Sequence, residues 1–87
     1  MKIENFSLRN IAGEYVVVPI GKNSINFKAM MSLNETAAFL WKKLETEISK
    51  EELVDNLVEE YDVSKEKAEK DVDNFISMLK EHKIIEE

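Results

Sequence analysis

The sequence predicts a single winged-helix-like α+β domain, in which a three-stranded antiparallel meander is followed by three α-helices. The first third of its 87 residues is rich in β-branched and aromatic residues, and it holds both glycines and the only proline. From residue 34 onward, apolar residues recur with the 3.6-residue period of amphipathic helices. A chain of this length has room for one core shared by two packed layers. We therefore expect one domain over residues 1–87, with strands at about 6–33 and helices at about 34–82.

Three short apolar segments predict the meander. Phe6, Leu8 and Ile11 outline the first strand, and a turn follows at residues 12–13 because Gly13 tolerates a positive φ. The β-branched run at residues 15–20 predicts the second strand. Its proline is expected near the strand end, since proline donates no ladder hydrogen bond. Strict alternation of apolar and mostly polar residues over 25–33 predicts a third strand with one open face.

Helix starts are predicted by three polar residues that each precede an apolar periodic segment. Asn34, Ser49 and Ser64 are good N-cap residues, and Ser49 with Glu52 has the spacing of a capping box. Residues 84–85, a pair of isoleucines after the third helix, are expected either to form a last short strand or to plug the core.

Composition and charge argue against several classes of function. The chain has no cysteine and a single histidine, His82, near the end of the third helix, where the helix dipole favours a cation. No catalytic motif, metal constellation or phosphate-binding loop is present, so neither an enzyme nor a bound cofactor is expected. The third helix carries five acids against four bases, and the net charge is −6, which disfavours nucleic acid as a partner.

The apolar runs are also informative about location. The longest of them, residues 15–20 and 37–41, are far shorter than the roughly 20 residues needed to span a bilayer. The first residues do not have the pattern of a signal peptide. We therefore expect a cytoplasmic domain with no membrane partner.

Two features of the sequence suggest peptide capture. If residues 27–32 form an edge strand, their unpaired backbone groups can accept an extended peptide. Met78 lies on the flank of the third helix, outside its core stripe, where a flexible thioether can form the wall of a groove. Periodicity leaves open the alternative that Met78 shields the rim of the core and that Met30 is merely exposed. Two other functions also stay open. One is a generic protein–protein interaction module or dimeric winged-helix regulator, whose edge strand pairs with another copy, and the other is a winged-helix nucleic-acid binder.

Several short segments, taken together in this order and spacing, resemble the PqqD-like family over about residues 6–86. They are residues 8–13 (LRNIAG), 33–41 (LNETAAFLW), 51–53 (EEL), 60–63 (EYDV) and 68–72 (AEKDV), with Phe75 and Leu79. Members of this family, often called RiPP recognition elements, are winged-helix-like domains of three strands and three helices. They bind the leader segment of a ribosomally made precursor peptide and present it to a modifying enzyme, commonly a radical-SAM maturase.

The resemblance also implies a site, a partner and a product. In the family the leader is held as an added strand beside the third strand and packs against the third helix. By resemblance, the peptide-binding residues are Phe27, Lys28, Ala29, Met30, Met31, Ser32, Asp71, Asn74, Phe75 and Met78. The domain is expected to be a monomer or a homodimer. Members that serve pyrroloquinoline quinone synthesis commonly have glycine where this chain has residues 45–47 (ETE) and Lys83, which implies a different peptide product.

Overall fold

The computed structural model describes residues 1–20 and 31–85, and it has the predicted order of three strands and three helices. The strands are β1 (Phe6–Ile11), β2 (Glu14–Pro19) and β3 (Met31–Leu33). The helices are α1 (Glu35–Lys43), α2 (Lys50–Tyr61) and α3 (Lys65–Glu81). The predicted α+β, winged-helix-like fold is confirmed. Of the predicted third strand, positions 25–30 lie outside the described residues.

The three strands form an antiparallel sheet in the order β1-β2-β3. Ile11 pairs with Glu14, so only Ala12 and Gly13 form the turn between β1 and β2. Both turn residues have positive φ, 52° and 86°, which is the type I′ pattern that matches the twist of a hairpin. Pro19 is the last residue of β2, as its missing N–H predicts.

One face of the sheet packs on the helices. Because Val17 pairs with Leu8 on one side and Met31 on the other, these three side chains share a face. Val17 is fully buried there, and Leu33 lies two residues along β3 on the same face. Trp41 of α1 is also fully buried. The core therefore lies between this face and the three helices.

Each predicted N-cap residue makes the expected hydrogen bond. Asn34 Oδ1 accepts from the Ala37 N–H at 2.8 Å, and Ser64 Oγ accepts from the Lys67 N–H at 3.1 Å. Ser49 forms a complete capping box, because its Oγ accepts from the Glu52 N–H while Glu52 Oε1 accepts from the Ser49 N–H, both at 3.1 Å. The three predicted helix starts are confirmed.

The chain turns back into the core after α3. Ile84 and Ile85 are buried and belong to the hydrophobic core, and they form no strand. The structure thus decides between the two sequence-based alternatives in favour of a core plug. No helix within residues 1–20 and 31–85 has the length and hydrophobicity that a membrane crossing requires.

Candidate functional site

A groove of about 460 Å³ lies between the end of β3, the first turns of α1 and one flank of α3. It exists because the short β3 passes into α1 through the N-cap Asn34, while α3 crosses opposite that junction. The groove is partly open to solvent and is not an enclosed cavity, so it suits a ligand that lies across the surface better than an enclosed small molecule.

The α3 wall of the groove is formed by five side chains that share one flank of the helix. Their spacing of four, three, one and three residues keeps them on the same side for about three turns. Phe75 is 6% exposed and forms the apolar base, and Met78 and Asp71 are half-buried above it. Lys67 and Asn74 are exposed at the rim.

The opposite wall comes from β3 and α1. Leu40 is buried and Ala37 is half-buried, so both add apolar surface facing Phe75. Thr36 and Ser32 contribute polar atoms nearer the solvent. The groove therefore has an apolar base and a polar rim, which is the usual composition of a ligand-binding cleft.

Among the described residues, one ion pair lies at the rim of this groove. Lys67 Nζ is 3.2 Å from Asp71 Oδ2, an i,i+4 contact along α3. The Asp71 side chain is 32% exposed and the Lys67 side chain is 61% exposed. The carboxylate is therefore the more deeply placed of the two charges.

The structure brings together half of the site residues predicted from the sequence. Ser32, Asp71, Asn74, Phe75 and Met78 all line the groove. Met31 is half-buried and packs against the core beside them rather than lining the groove. The other four predicted residues, at positions 27–30, lie outside the described residues.

The sequence reasoning missed the α1 wall and one charged residue. Lys67 stands four residues before Asp71, so the i,i+4 spacing was an available signal for it. Thr36, Ala37 and Leu40 had no such signal, because the position of α1 relative to α3 depends on how the helices cross.

The strand β3, whose residues Ser32 and Leu33 line the groove, has one free edge. β3 pairs with β2 on one side, and no segment of the described chain pairs with its other side. An unpaired edge presents backbone N–H and C=O groups that can bind an extended chain. The groove and this free edge therefore belong to the same short strand.

The histidine has a local structural role. His82 Nδ1 lies 2.9 Å from the carbonyl oxygen of Met78, within hydrogen-bonding distance, at the C-terminal end of α3. This agrees with its expected role at the end of the helix. In the part of the chain that the structure describes, no three His, Asp or Glu side chains are close enough to hold a metal ion.

The family model described as coenzyme PQQ synthesis protein D (PqqD) matches residues 14–85. This chain belongs to the PqqD family. The match runs from the start of β2 past the end of α3, and so includes both walls of the groove. None of the curated proteins has a sequence that matches this PqqD-family chain significantly.

Two solved structures are similar to this PqqD-family chain over nearly its whole length. TbiB1 in complex with the TbiA(beta) leader peptide is 25% identical, with a TM-score of 0.78, and the match covers 99% of this chain and 95% of that one. A lasso peptide synthetase B1 complexed with the leader peptide is also 25% identical, with a TM-score of 0.72 and coverage of 92% and 89%. Both similar structures are complexes with leader peptides.

Proposed function

We propose that this protein is a non-catalytic recognition domain that binds the leader segment of a ribosomally synthesised precursor peptide. It presents that peptide to a modifying enzyme, such as a radical-SAM maturase. The main support is the groove formed by β3, α1 and α3, next to a strand with a free edge, on a fold that is similar to two solved leader-peptide complexes. Residues 1–87 then act as one recognition domain.

The leader binds as an added β-strand along the outer edge of β3. Backbone N–H and C=O groups alternate between the two edges of a strand, so the edge away from β2 offers main-chain bonds at every second residue. Main-chain bonds of this kind give affinity with little dependence on sequence, and the side chains of alternate residues give specificity. The proximity of the groove to this edge supports such a division.

The apolar contacts come from the base and the wall of the groove. Phe75 supplies a rigid aromatic surface, and Met78 supplies an unbranched side chain that adjusts to different ligand shapes. Met78 is half-buried in the free protein, so part of its surface is available to a peptide.

A binding role, and not a catalytic one, is supported by the charged groups in the groove. The two ionisable side chains that line it in the described structure, Lys67 and Asp71, pair with each other. A general base or nucleophile needs a partner that activates it towards a substrate. The Lys67–Asp71 pair instead gives neither group a partner that would activate it for chemistry.

The proposal is tested by the substitution Met78→Asp, which puts a carboxylate in the apolar part of the groove. The probes are the precursor peptides encoded beside this protein, titrated by calorimetry. We expect a dissociation constant in the micromolar range or below for the unmodified protein, since ordering a flexible leader consumes part of the interaction free energy. Met78→Asp should weaken that affinity at least about tenfold, because burying a charge without a partner is unfavourable.

Ser77→Asp is the matched control, because Ser77 is the adjacent residue, is exposed and does not line the groove. It adds the same charge to α3 and should leave the affinity unchanged. Circular dichroism establishes that both variants are folded. Equal affinity of a folded Met78→Asp protein and the unmodified protein would remove this groove from the proposal.

A further inference from the structure

We propose that the groove selects peptides with a basic side chain placed two residues from a large apolar one, and that Asp71 is the residue that recognises the basic group. This inference rests on the proposed function and adds a preference for one class of peptide. Its starting observation is that the α3 wall is charged at one end, with Lys67 and Asp71, and apolar at the other, with Phe75 and Met78.

The spacing along α3 matches the spacing along an extended peptide. The wall from Lys67 to Met78 covers eleven helical steps, about 16 Å, a length that an extended peptide running parallel to α3 spans with about five residues. Asp71 is four residues, about 6 Å, from Phe75. In an extended peptide, side chains on one face recur every 6.4–6.8 Å or so. A peptide side chain seated on Phe75 and Met78 therefore places the next side chain on that face beside Asp71.

Of the two charged residues, Asp71 is better placed to recognise this peptide side chain. Its side chain is short and 32% exposed, whereas Lys67 is long and 61% exposed, so fixing Lys67 around a ligand sacrifices more conformational freedom. Lys67 occupies Oδ2 of Asp71, and Oδ1 has no partner among residues 1–20 and 31–85. The second oxygen can accept from a lysine or arginine of the peptide while Lys67 stays in place.

Peptide binding makes a basic partner for Asp71 more important. A bound strand covers Asp71 and removes water from its carboxylate, and a carboxylate that loses water needs further hydrogen-bond donors. An acidic peptide side chain at this position faces Asp71 itself and can only compete for Lys67. A basic one supplies the missing donor.

The charge of the whole chain favours the same choice. The net charge is −6, and residues 45–87, which include α3, hold fifteen acids and six bases. Such a field attracts basic peptides and repels acidic ones during diffusional encounter. The position of Asp71 in the groove and the negative charge of the chain therefore both favour a basic peptide.

The inference is tested by selection from a displayed library of random dodecapeptides against the unmodified protein and against Asp71→Lys. Peptides enriched on the unmodified protein should carry lysine or arginine two residues from a large apolar residue. Peptides enriched on Asp71→Lys should carry aspartate or glutamate at that position. An acidic preference on the unmodified protein, or the same enriched residues on both proteins, would overturn the inference.

One selected peptide is then synthesised with lysine or with glutamate at the position two residues from its apolar anchor. On the unmodified protein the lysine form should bind at least about tenfold more tightly, since hydrogen bonds between charged groups are the strong ones. On Asp71→Asn the ratio should fall below about threefold. Asp55→Asn, the same change at an exposed residue of α2 outside the groove, should keep the full ratio.

Failure of this inference and failure of the proposed function give different results. If the leader peptides and the selected peptides all bind Met78→Asp as tightly as the unmodified protein, the groove is not the binding site and both proposals fail. If binding depends on Met78 but the lysine and glutamate forms bind equally, the groove binds peptides and only the charge preference fails.

Discussion

Lys83, which follows the C-cap residue His82 of α3, has a left-handed backbone with φ of 60°. This conformation lets the Lys83 N–H donate to the Lys80 carbonyl at 3.0 Å and the Ile84 N–H donate to the Leu79 carbonyl at 2.8 Å. The two bonds form a Schellman motif, whose left-handed position is usually a glycine. A β-carbon there costs about 1 kcal/mol, and the motif nonetheless forms because it returns Ile84 to the core.

Lys83→Gly should therefore stabilise the protein by about 0.5–1 kcal/mol, because glycine adopts positive φ without the β-carbon clash. The free energy of unfolding is measured by urea denaturation followed by circular dichroism. The matched control is Lys70→Gly, the same change at an exposed position within α3, which should destabilise by about 1 kcal/mol. Destabilisation by both changes would contradict the left-handed assignment of Lys83.

At the scale of whole elements, local signals in the sequence predicted the helix starts and the first hairpin. Asn34, Ser49 and Ser64 cap their helices through contacts within three residues, so the neighbouring sequence contains the necessary information. The turn at residues 12–13 is equally local.

The site was predicted less completely because it joins distant elements. Periodicity placed Met78 on a flank of α3, but the residues that face it across the groove, Ala37 and Leu40, belong to α1. Which turn of α1 meets α3 depends on the packing of both helices against the sheet. The peptide-binding role of residues 27–30 stays a prediction.

Helices α1 and α2 are in contact through two aromatic rings, and the pKa of the tyrosine in this pair reports on its environment. Tyr61, the last residue of α2, meets Phe39 of α1 edge to face, with ring centroids 5.5 Å apart. Burial raises the pKa of the Tyr61 phenol above its ordinary value, and the nearby carboxylates of Glu35 and Glu60 raise it further. Because the folded-state pKa is the higher one, this contribution to stability is complete below pH 10 or so and is lost as the pH rises through the folded-state pKa.

We expect the absorbance at 295 nm of the unmodified protein, minus that of Tyr61→Phe, to rise with pH with a midpoint above pH 10. Glu35→Gln should lower the midpoint, because it removes one of the negative charges that disfavour the phenolate. Glu59→Gln, an exposed acid of α2 that does not contribute to the shift, should leave it unchanged. A midpoint at or below the ordinary value would show that the contact with Phe39 is not maintained in solution.

At the scale of the whole molecule, the sheet and the proposed ligand are parts of one structure. A strand added to β3 lengthens the sheet and fills the groove against α3, so binding should stabilise the entire fold. Peptide at one hundred times its dissociation constant adds about 2.7 kcal/mol. For a domain of this size, that corresponds to a rise in melting temperature of about 10–20 °C.

Hydrogen exchange locates the source of that stabilisation. Binding of the leader peptide should slow the exchange of backbone amides in β3 (Met31–Leu33) that point away from β2. The factor by which they slow should be larger than for the outward-facing amides of β1, at the other edge of the sheet. A peptide that bound elsewhere would raise the melting temperature but slow both edges equally, which would contradict strand addition. Pairing of β3 with a second copy of the chain would also protect these amides from exchange. In that case the protection would occur without peptide, and the mass measured by sedimentation would increase with protein concentration. Protection that requires peptide, at constant monomer mass, is therefore the outcome expected for leader recognition.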